Sequence, residues 1–279
     1  MKIAVLGGDK RMLFAARAFA DEGHEVYVAG FDDLLSLCEI CVCDEVKAVT
    51  NCDIAVLPVR PMKDGFLNAP FSKKNIKLDE LLRQLGDKPI FTGFAEQIES
   101  HAVGKVYDYA DEEDFTLKNA ELTAEGAVGI LIRDYEGSVY DSDMLITGYG
   151  RIGKVLARYL RAMGAKVTVA ARKAADREKI KDNGCIPVDY PDIAYENYRV
   201  IINTVPALVV DRTAVERMHD DVFIIELASA PGGFDTQHIK ERDLSYINAS
   251  GLPGKTAPLA AGSIIKDTIM NILNRGSLG

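Results

Sequence analysis

The run Gly148-Tyr149-Gly150-Arg151-Ile152-Gly153 has the spacing G-x-G-x-x-G. Glycines at that spacing do three jobs at a strand-to-helix turn. The first permits the tight turn, the second lets backbone approach a pyrophosphate, and the third lets helix and strand pack closely. The helix that follows offers N–H groups and a positive dipole end to an anion. The spacing alone is weak, but "MLIT" precedes it and "RIGKVLARYLRAMG" follows, apolar at Ile152, Val155, Leu156, Tyr159, Leu160 and Met163; "AKVTVAA" comes next. That strand–turn–helix–strand context is what a dinucleotide fingerprint requires. The second strand ends Ala171-Arg172-Lys173, where an NAD site usually carries an acid for the ribose 2′-hydroxyl. Arg172 offers paired donors and Lys173 a point charge, so a 2′-phosphate is favoured. NADP is the expected cofactor, with NAD as the alternative; a Lys173 that is only a solvated surface charge fits equally well.

Ligands in such folds sit at the carboxyl ends of the strands. Downstream of the fingerprint, the candidate cofactor contacts are Asn203, Thr204, Val205 and Pro206 of "NTVPA", and Leu227, Ala228 and Ser229 of "LASAPGGFD". The candidate substrate contacts are Arg60, Lys63, Thr92, Gly93, Thr123, Gly232, Gly233, Pro253 and Gly254. The cations Lys10, Arg11, Arg60, Lys63 and Lys255 stand out in an acidic chain as an anion-binding set, with ordinary exposed charge as the alternative for each. Glu125 and Lys255 are the candidate proton acceptors. Glu125 falls in the first turn of an expected helix, where the helix dipole alone favours a carboxylate. The turn "GGDKR" is read as a ligand-facing or structural loop and not as a second dinucleotide site, because Ala15 and Ala16 stand where a third glycine would be needed. The four histidines, His24, His101, His219 and His238, all fall outside the expected ligand loops.

The elements that must position these residues alternate from end to end. Strands are expected at 2–8, 24–31, 53–60, 88–94 and 105–110, with helices at 11–23, 78–86 and 96–104. A second series has a helix over 123–134 capped by Thr123, then strands at 143–147, 166–171, 199–205, 222–227 and 244–250, with helices at 151–163, 174–183 and 211–218. A last helix over 258–274 is expected to return to the first domain. Alternating strands and helices imply parallel sheets with right-handed crossovers. The fold class is therefore α/β with two doubly wound domains. The first spans 1–118 joined by 262–279, and the second, a Rossmann NAD(P)-binding domain, spans 119–261. The irregular stretch 60–75 is long enough to suggest a functional loop.

The 279-residue length suits two domains, and 48% hydrophobic with 27% charged residues suits a globular chain. A net charge of −9 argues against nucleic acid or an anionic membrane as partner, and no apolar run reaches the roughly 20 residues of a membrane span. Cys38-x-x-Cys41 lacks a second ligand pair at zinc spacing, so no metal is expected and the five cysteines read as reduced thiols of a cytosolic protein.

A "KIAVLGGDKR" start, "LPV", "TAEG", "GYGRIG", "AAR", "INTVP", "ELASAPGGFD" and "GLPGKTAPLAAG", in that order over essentially the whole chain, resemble the A-subunit family of dipicolinate synthase. The pairing of "LAS-x-PGG" with "GLPG-x-x-AP-x-x-AG" is more specific than the dinucleotide fingerprint. The resemblance implies a formate/glycerate dehydrogenase-like fold whose first domain is flavodoxin-like. It implies NADP-dependent oxidation of dihydrodipicolinate, a lysine-pathway intermediate, to pyridine-2,6-dicarboxylate during sporulation. It also implies a small dicarboxylate substrate, a partner in the flavoprotein-like B-subunit of dipicolinate synthase, and a place in the cytoplasm of the mother cell of a sporulating bacterium; a homo-oligomer stays open. The alternatives are a 2-hydroxyacid dehydrogenase-like oxidoreductase, disfavoured because "SGLPGKTAPLAAG" has no histidine, or a non-catalytic NADP-binding protein.

Overall fold

The computed structural model describes residues 1–37 and 41–276. The chain forms two compact units, residues 1–119 with the segment from Pro253 onward, and residues 120–252. The return to the first unit thus starts at Pro253, ahead of the expected 262. The close seat of Gly254 on Asp9 accounts for it: a Cβ at Gly254 would lie 2.3 Å from the Asp9 carboxylate.

The first unit runs β1 (Lys2–Leu6), α1 (Lys10–Asp21), β2 (Glu25–Ala29), β3 (Cys41–Val42), α2 (Glu45–Asn51), β4 (Ile54–Val56), the hairpin β5 (Met62–Lys63) and β6 (Phe66–Leu67), α3 (Leu78–Leu85), β7 (Ile90–Thr92) and β8 (Val106–Asp108). Six of the strands make a parallel sheet in the order β3-β2-β1-β4-β7-β8. Without the two-residue edge strand β3, which the expected five strands did not include, this is the 2-1-3-4-5 order of flavodoxin-like sheets. Strands such as Ile3–Leu6 are apolar without alternation because both faces of a parallel sheet are covered. The stretch 60–75 is less irregular than expected, since it holds the β5–β6 hairpin.

Helix α1 starts at Asp9, whose side chain accepts from Arg11 N, and buries Met12, Leu13, Ala15, Ala16 and Phe19. The expected helix over 96–104 is only a single 3₁₀ turn, Ala95–Gln97. Within 96–104, Ile98 alone is a fully buried apolar residue and Val103 is 70% exposed, so no apolar stripe exists to hold a longer helix.

Helix α4 (Glu113–Asp134) is continuous. The expected start at Thr123 is wrong: burial recurs at Ala120, Ala124, Ala127 and Leu131, one helical stripe that begins before Thr123 and runs on past it. Thr123 is a buried mid-helix residue and no cap, and Glu125 has no helix N-terminus beneath it.

The second unit continues with β9 (Asp143–Thr147), α5 (Arg151–Ala162), β10 (Lys166–Ala170), α6 (Ala174–Asp182), β11 (Ile186–Val188), β12 (Val200–Asn203), α7 (Arg212–Glu216), β13 (Phe223–Glu226), α8 (Thr236–Glu241) and β14 (Ser245–Asn248). Its parallel sheet has the order β11-β10-β9-β12-β13-β14, the 3-2-1-4-5-6 order of the dinucleotide-binding fold. The strand β11 was not expected; its edge position leaves Ile186 57% exposed, so "IPV" carries little strand signal.

The chain then forms α9 (Leu252–Thr256) and α10 (Pro258–Asn274). The stretch 250–258, left between the expected strand 244–250 and the expected last helix, is therefore partly helical. Helix α10 buries Ile265, Ile269 and Ile272 in the core that contains α1, each contributing about 2 kcal/mol of burial. Gly262 lets the helices touch, since a Cβ there would sit 2.6 Å from Ala15 N and Arg11 O.

Candidate functional site

The fingerprint turn joins β9 to α5. Gly148 has φ +99°, which a side chain rarely tolerates, and its missing Cβ would fall 2.5 Å from Thr204 Oγ1. A Cβ on Gly153 would lie 2.2 Å from Gly148 O, so that glycine is where helix meets turn. Gly150 differs from both: nothing lies within 4 Å of its absent Cβ. It is also the N-cap of α5 and provides no side-chain cap. The first turn of α5 therefore opens onto space beside the one glycine that needs none for packing. Such an uncapped helix start with open space beside it has the room and the N–H groups to seat a phosphate. Arg151 is exposed and Ile152 half-buried on the same turn. Tyr149 is held by Asn183, whose Nδ2 donates to its hydroxyl at 2.8 Å, and Lys154 Nζ stands 5.5 Å above its ring.

Behind the turn lies a buried polar network that sequence reasoning missed. Thr147 Oγ1 donates to Asn203 Oδ1 at 2.6 Å, and Asn203 Nδ2 donates to Glu226 Oε1 at 2.7 Å and to Val205 O at 2.9 Å. Glu226 also accepts from Ala228 N at 2.9 Å and from Gly233 N at 2.7 Å. Thr147 and Asn203 are fully buried and Glu226 is 1% exposed. Burial pushes the Glu226 carboxyl up, opposed by the bonds from Gly233, Asn203 and Ala228. The network ties the carboxyl ends of β9, β12 and β13 to the 227–233 loop. Gly232 and Gly233 are required by it: a Cβ on Gly233 would lie 2.4 Å from Asn203 Nδ2, and one on Gly232 would lie 2.9 Å from Glu226 Oε2. The expected ligand role of Asn203 is corrected accordingly, because its amide is spent within the network, and Gly232 and Gly233 serve its packing. Thr204 likewise donates its hydroxyl to Thr147 O at 2.9 Å. Leu227 and Ala228 are buried and Val205 half-buried, while Pro206 and Ser229 are exposed at the loop surfaces. The available signal for Glu226 was an acid ending the wholly apolar strand "FII".

At the end of β10, Arg172 and Lys173 are both exposed. Arg177 supports them from behind: its Nη1 donates to the carbonyls of Ala171 and Arg172, each at 2.8 Å, and pairs with Asp189 at 3.0 Å. The neighbouring acid Asp189 is thus engaged, and the strand end presents Arg172 and Lys173 outward.

In the first unit, Arg60 follows β4 and Phe94 follows β7. The Arg60 guanidinium carbon is 5.0 Å from the Phe94 ring centroid. Lys63 is exposed on the β5–β6 hairpin. Thr92 and Gly93 are packing residues, which corrects their expected contact role. The Thr92 hydroxyl is fully buried, 2.9 Å from Pro58 O, and a Cβ on Gly93 would strike Val59 O at 2.5 Å. Arg11 also leaves the anion-binding set, since its guanidinium forms a bidentate pair with Asp9, Nε to Oδ1 and Nη2 to Oδ2 both at 2.8 Å. The GGDKR turn is packed by the hairpin, with Gly8 N donating to Asn68 O at 2.7 Å and Leu67 lying 2.9 Å from where a Gly7 Cβ would be. Pro253 and Gly254 are buried and Lys255 is exposed on α9. Glu125 is exposed beside Val128, Tyr159, Ala162 and Met163, around a shallow hollow of about 370 Å³. Those last two residues mark the C-terminal end of α5, opposite the fingerprint turn, which removes the geometric support for Glu125 as a base within this unit.

None of the four histidines lies at the carboxyl edge of a sheet. His24 packs near Phe19, His101 pairs with Asp79, His219 lies by Asp221 before β13, and His238 is held on α8 by Glu241 at 2.9 Å. Cys52 and Cys185 are buried thiols pushed up by burial, and Cys43 is half-buried. Among the described residues no group of three or more His, Cys, Asp or Glu is placed to hold a metal, and none of their helices is long and apolar enough to cross a membrane. Cys38 lies outside the described residues.

A family model described as the N-terminal domain of the dipicolinate synthase A-subunit matches residues 2–106. A second, described as the NAD binding domain of D-isomer specific 2-hydroxyacid dehydrogenases, matches residues 124–238. The chain is 30% identical to the dipicolinate synthase A-subunit of Bacillus subtilis (strain 168) over 98% of its own length and 96% of that protein. It resembles the crystal structure of the dipicolinate synthase A-subunit from Bacillus halodurans with a TM-score of 0.88 and 27% identity, covering 98% of this chain and 97% of that one. The D-lactate dehydrogenase of Escherichia coli, 16% identical with a TM-score of 0.65 over 99% of this chain and 98% of that one, shares the fold. The second unit is accordingly a nicotinamide-cofactor domain of dehydrogenase type.

Proposed function

This chain belongs to the dipicolinate synthase A-subunit family, and on that premise we propose that it oxidises a dihydrodipicolinate-type ring to pyridine-2,6-dicarboxylate with NADP as hydride acceptor. The observation that carries the proposal is the open cradle at Gly150 in a chain related end to end to a dipicolinate synthase A-subunit. The cradle fits a nicotinamide dinucleotide: an uncapped helix start, a glycine with space beside it, and two glycines consumed by packing. When bound, such a cofactor accepts the hydride. The substrate loses that hydride from one ring position and a proton from a neighbouring one, and the new double bond completes the aromatic ring. The protein then has to bind a dianion, hold the ring still and take up one proton. Arg60, Lys63 and Lys255 are exposed cations suited to the dianion, and Lys255 remains the candidate proton acceptor. Geometry supplies most of the rate in such a transfer. Partnership with the flavoprotein-like B-subunit of the synthase, and synthesis in the mother cell of a sporulating bacterium, belong to the same proposal.

The family model over 124–238 favours one other reading, a 2-hydroxyacid dehydrogenase. That reaction needs a histidine acid/base at the ligand side of the sheet, and the four histidines are placed elsewhere.

The test is to mix the protein, NADP and enzymatically generated dihydrodipicolinate. Reduced nicotinamide absorbance should rise in step with pyridine-2,6-dicarboxylate. No product, even with the B-subunit present, overturns the proposal. Cofactor choice has a separate test. Arg172→Ala is expected to weaken NADP binding about tenfold, the loss of one charge-assisted contact, while NAD affinity stays within about twofold. Titration calorimetry with both cofactors checks it, and equal losses would show that Arg172 does not read the 2′-phosphate.

A further inference from the structure

We propose that Arg60 and Phe94 form a subsite for a ring-borne carboxylate, in which Phe94 selects a flat six-membered ring over a puckered one. The inference rests on the dicarboxylate reading above and goes further by naming the residue that reads ring planarity.

The two residues follow β4 and β7, which pair directly and in parallel, so both stand at the carboxyl edge where ligands of this fold bind. Arg60 is exposed and, among the described residues, pairs with no carboxylate; its guanidinium lies 5.0 Å from the Phe94 centroid. Its backbone is pinned by Asn68 Nδ2, which donates to Arg60 O at 3.0 Å. Arg11, by contrast, is already neutralised by Asp9.

Phe94 is the anomaly. It sits in the left-handed region, at φ 49° and ψ 51°. The other described non-glycine residues with positive φ are Asp64, Asp141 and Asp243. Aspartate tolerates that conformation because its short side chain bonds locally, and phenylalanine does not. Burial does not explain the choice either, since Phe94 is 36% exposed. The surroundings enforce the conformation. Ala95 N donates to Asp108 Oδ2 at 2.8 Å, Gln97 N donates to Phe94 O at 3.0 Å, and Gly93 is wedged against Val59. A strained, exposed aromatic held in place beneath a guanidinium that pairs with no carboxylate among the described residues is a ligand-facing arrangement. The guanidinium takes a carboxylate through paired N–H groups, and the phenyl face that Arg60 does not cover takes the ring that carries it.

The full-length protein, with NADP present, would be titrated with pyridine-2,6-dicarboxylate, benzene-1,3-dicarboxylate and cis-cyclohexane-1,3-dicarboxylate. Wild type is expected to bind the two flat probes at least about fivefold more tightly than the puckered one. Phe94→Leu should bring that ratio to within about twofold and leave NADP affinity unchanged. Arg60→Gln should weaken all three probes alike. Phe94→Gly, which relieves the left-handed strain, should lose the selectivity without losing thermal stability, so that misfolding cannot produce the result. Equal wild-type affinities, an unchanged ratio in Phe94→Leu, or absent binding of flat probes by a protein that still turns over dihydrodipicolinate would each overturn this inference and leave the proposed reaction standing. A protein that neither binds a flat probe nor turns over the substrate overturns both.

Discussion

Gly150→Ala is expected to remove most of the cofactor affinity while leaving the second unit folded, and Gly153→Ala is expected to damage both. The two glycines share one motif but meet different neighbours. The Gly150 side faces open space within 4 Å, so a methyl group there contacts nothing in the protein and intrudes only where a pyrophosphate would come. Its φ of −77° suits any residue, so the cost to stability is at most about 1 kcal/mol, the ordinary penalty of alanine at an N-cap. Loss of close backbone approach should weaken NADP and NAD alike by at least about 30-fold, or about 2 kcal/mol. At Gly153 the methyl would lie 2.2 Å from Gly148 O, a backbone atom that can yield only by moving the turn. Thermal unfolding and calorimetry on both variants separate the outcomes. Unchanged cofactor affinity in Gly150→Ala would show that the dinucleotide does not seat on this turn.

Glu226→Ala is expected to destabilise the second unit by about 3 kcal/mol, because three buried N–H groups lose their acceptor at once: one of the two on Asn203 Nδ2, and those of Ala228 and Gly233. That corresponds to a fall of roughly 10 °C in the midpoint of a unit of this size. Cofactor affinity should fall as well, since the loop 227–233 loses the group that holds it. The pH dependence has a definite sign. Burial raises the Glu226 carboxyl in the folded protein, so the folded state keeps its proton to higher pH than the unfolded chain does. The stability from this protonation is complete below the unfolded value and is lost as pH rises through the folded one. The penalty of Glu226→Ala should therefore be larger at about pH 4 than at about pH 8, read from denaturant midpoints at each pH. A penalty that grows with pH would mean that the hydrogen bonds outweigh burial and hold the carboxyl ionised.

The legible parts of this protein are those set by near neighbours in the chain. Apolar runs such as "IAVL" and "FII", and the 3.6-residue stripe of 151–162, mark elements because strand and helix impose their periods on adjacent residues. The glycine spacing and the acid-free end of β10 are also local. The errors come where local signals are equivocal. Thr123 resembles a cap, yet the stripe from Ala120 to Leu131 carries the helix through it. The short edge strands β3 and β11 depend on a neighbouring strand for their hydrogen bonds, and β11 has no fully buried residue.

By itself, then, the sequence determined two doubly wound units, the position of the glycine-rich turn between β9 and α5, and the cationic, acid-free end of β10. Only the tertiary structure decided which motif residues are consumed by packing and which are left exposed. Thr92, Gly93, Asn203, Gly232 and Gly233 turned inward, Arg11 closed on Asp9, and Phe94 stayed outside in a conformation that costs it energy. The reason is distance along the chain. Thr147 meets Asn203 across 56 residues, and Asn203 meets Glu226 across 23. A buried polar group must find its partner wherever the fold brings one, and that pairing leaves no periodic trace in the sequence.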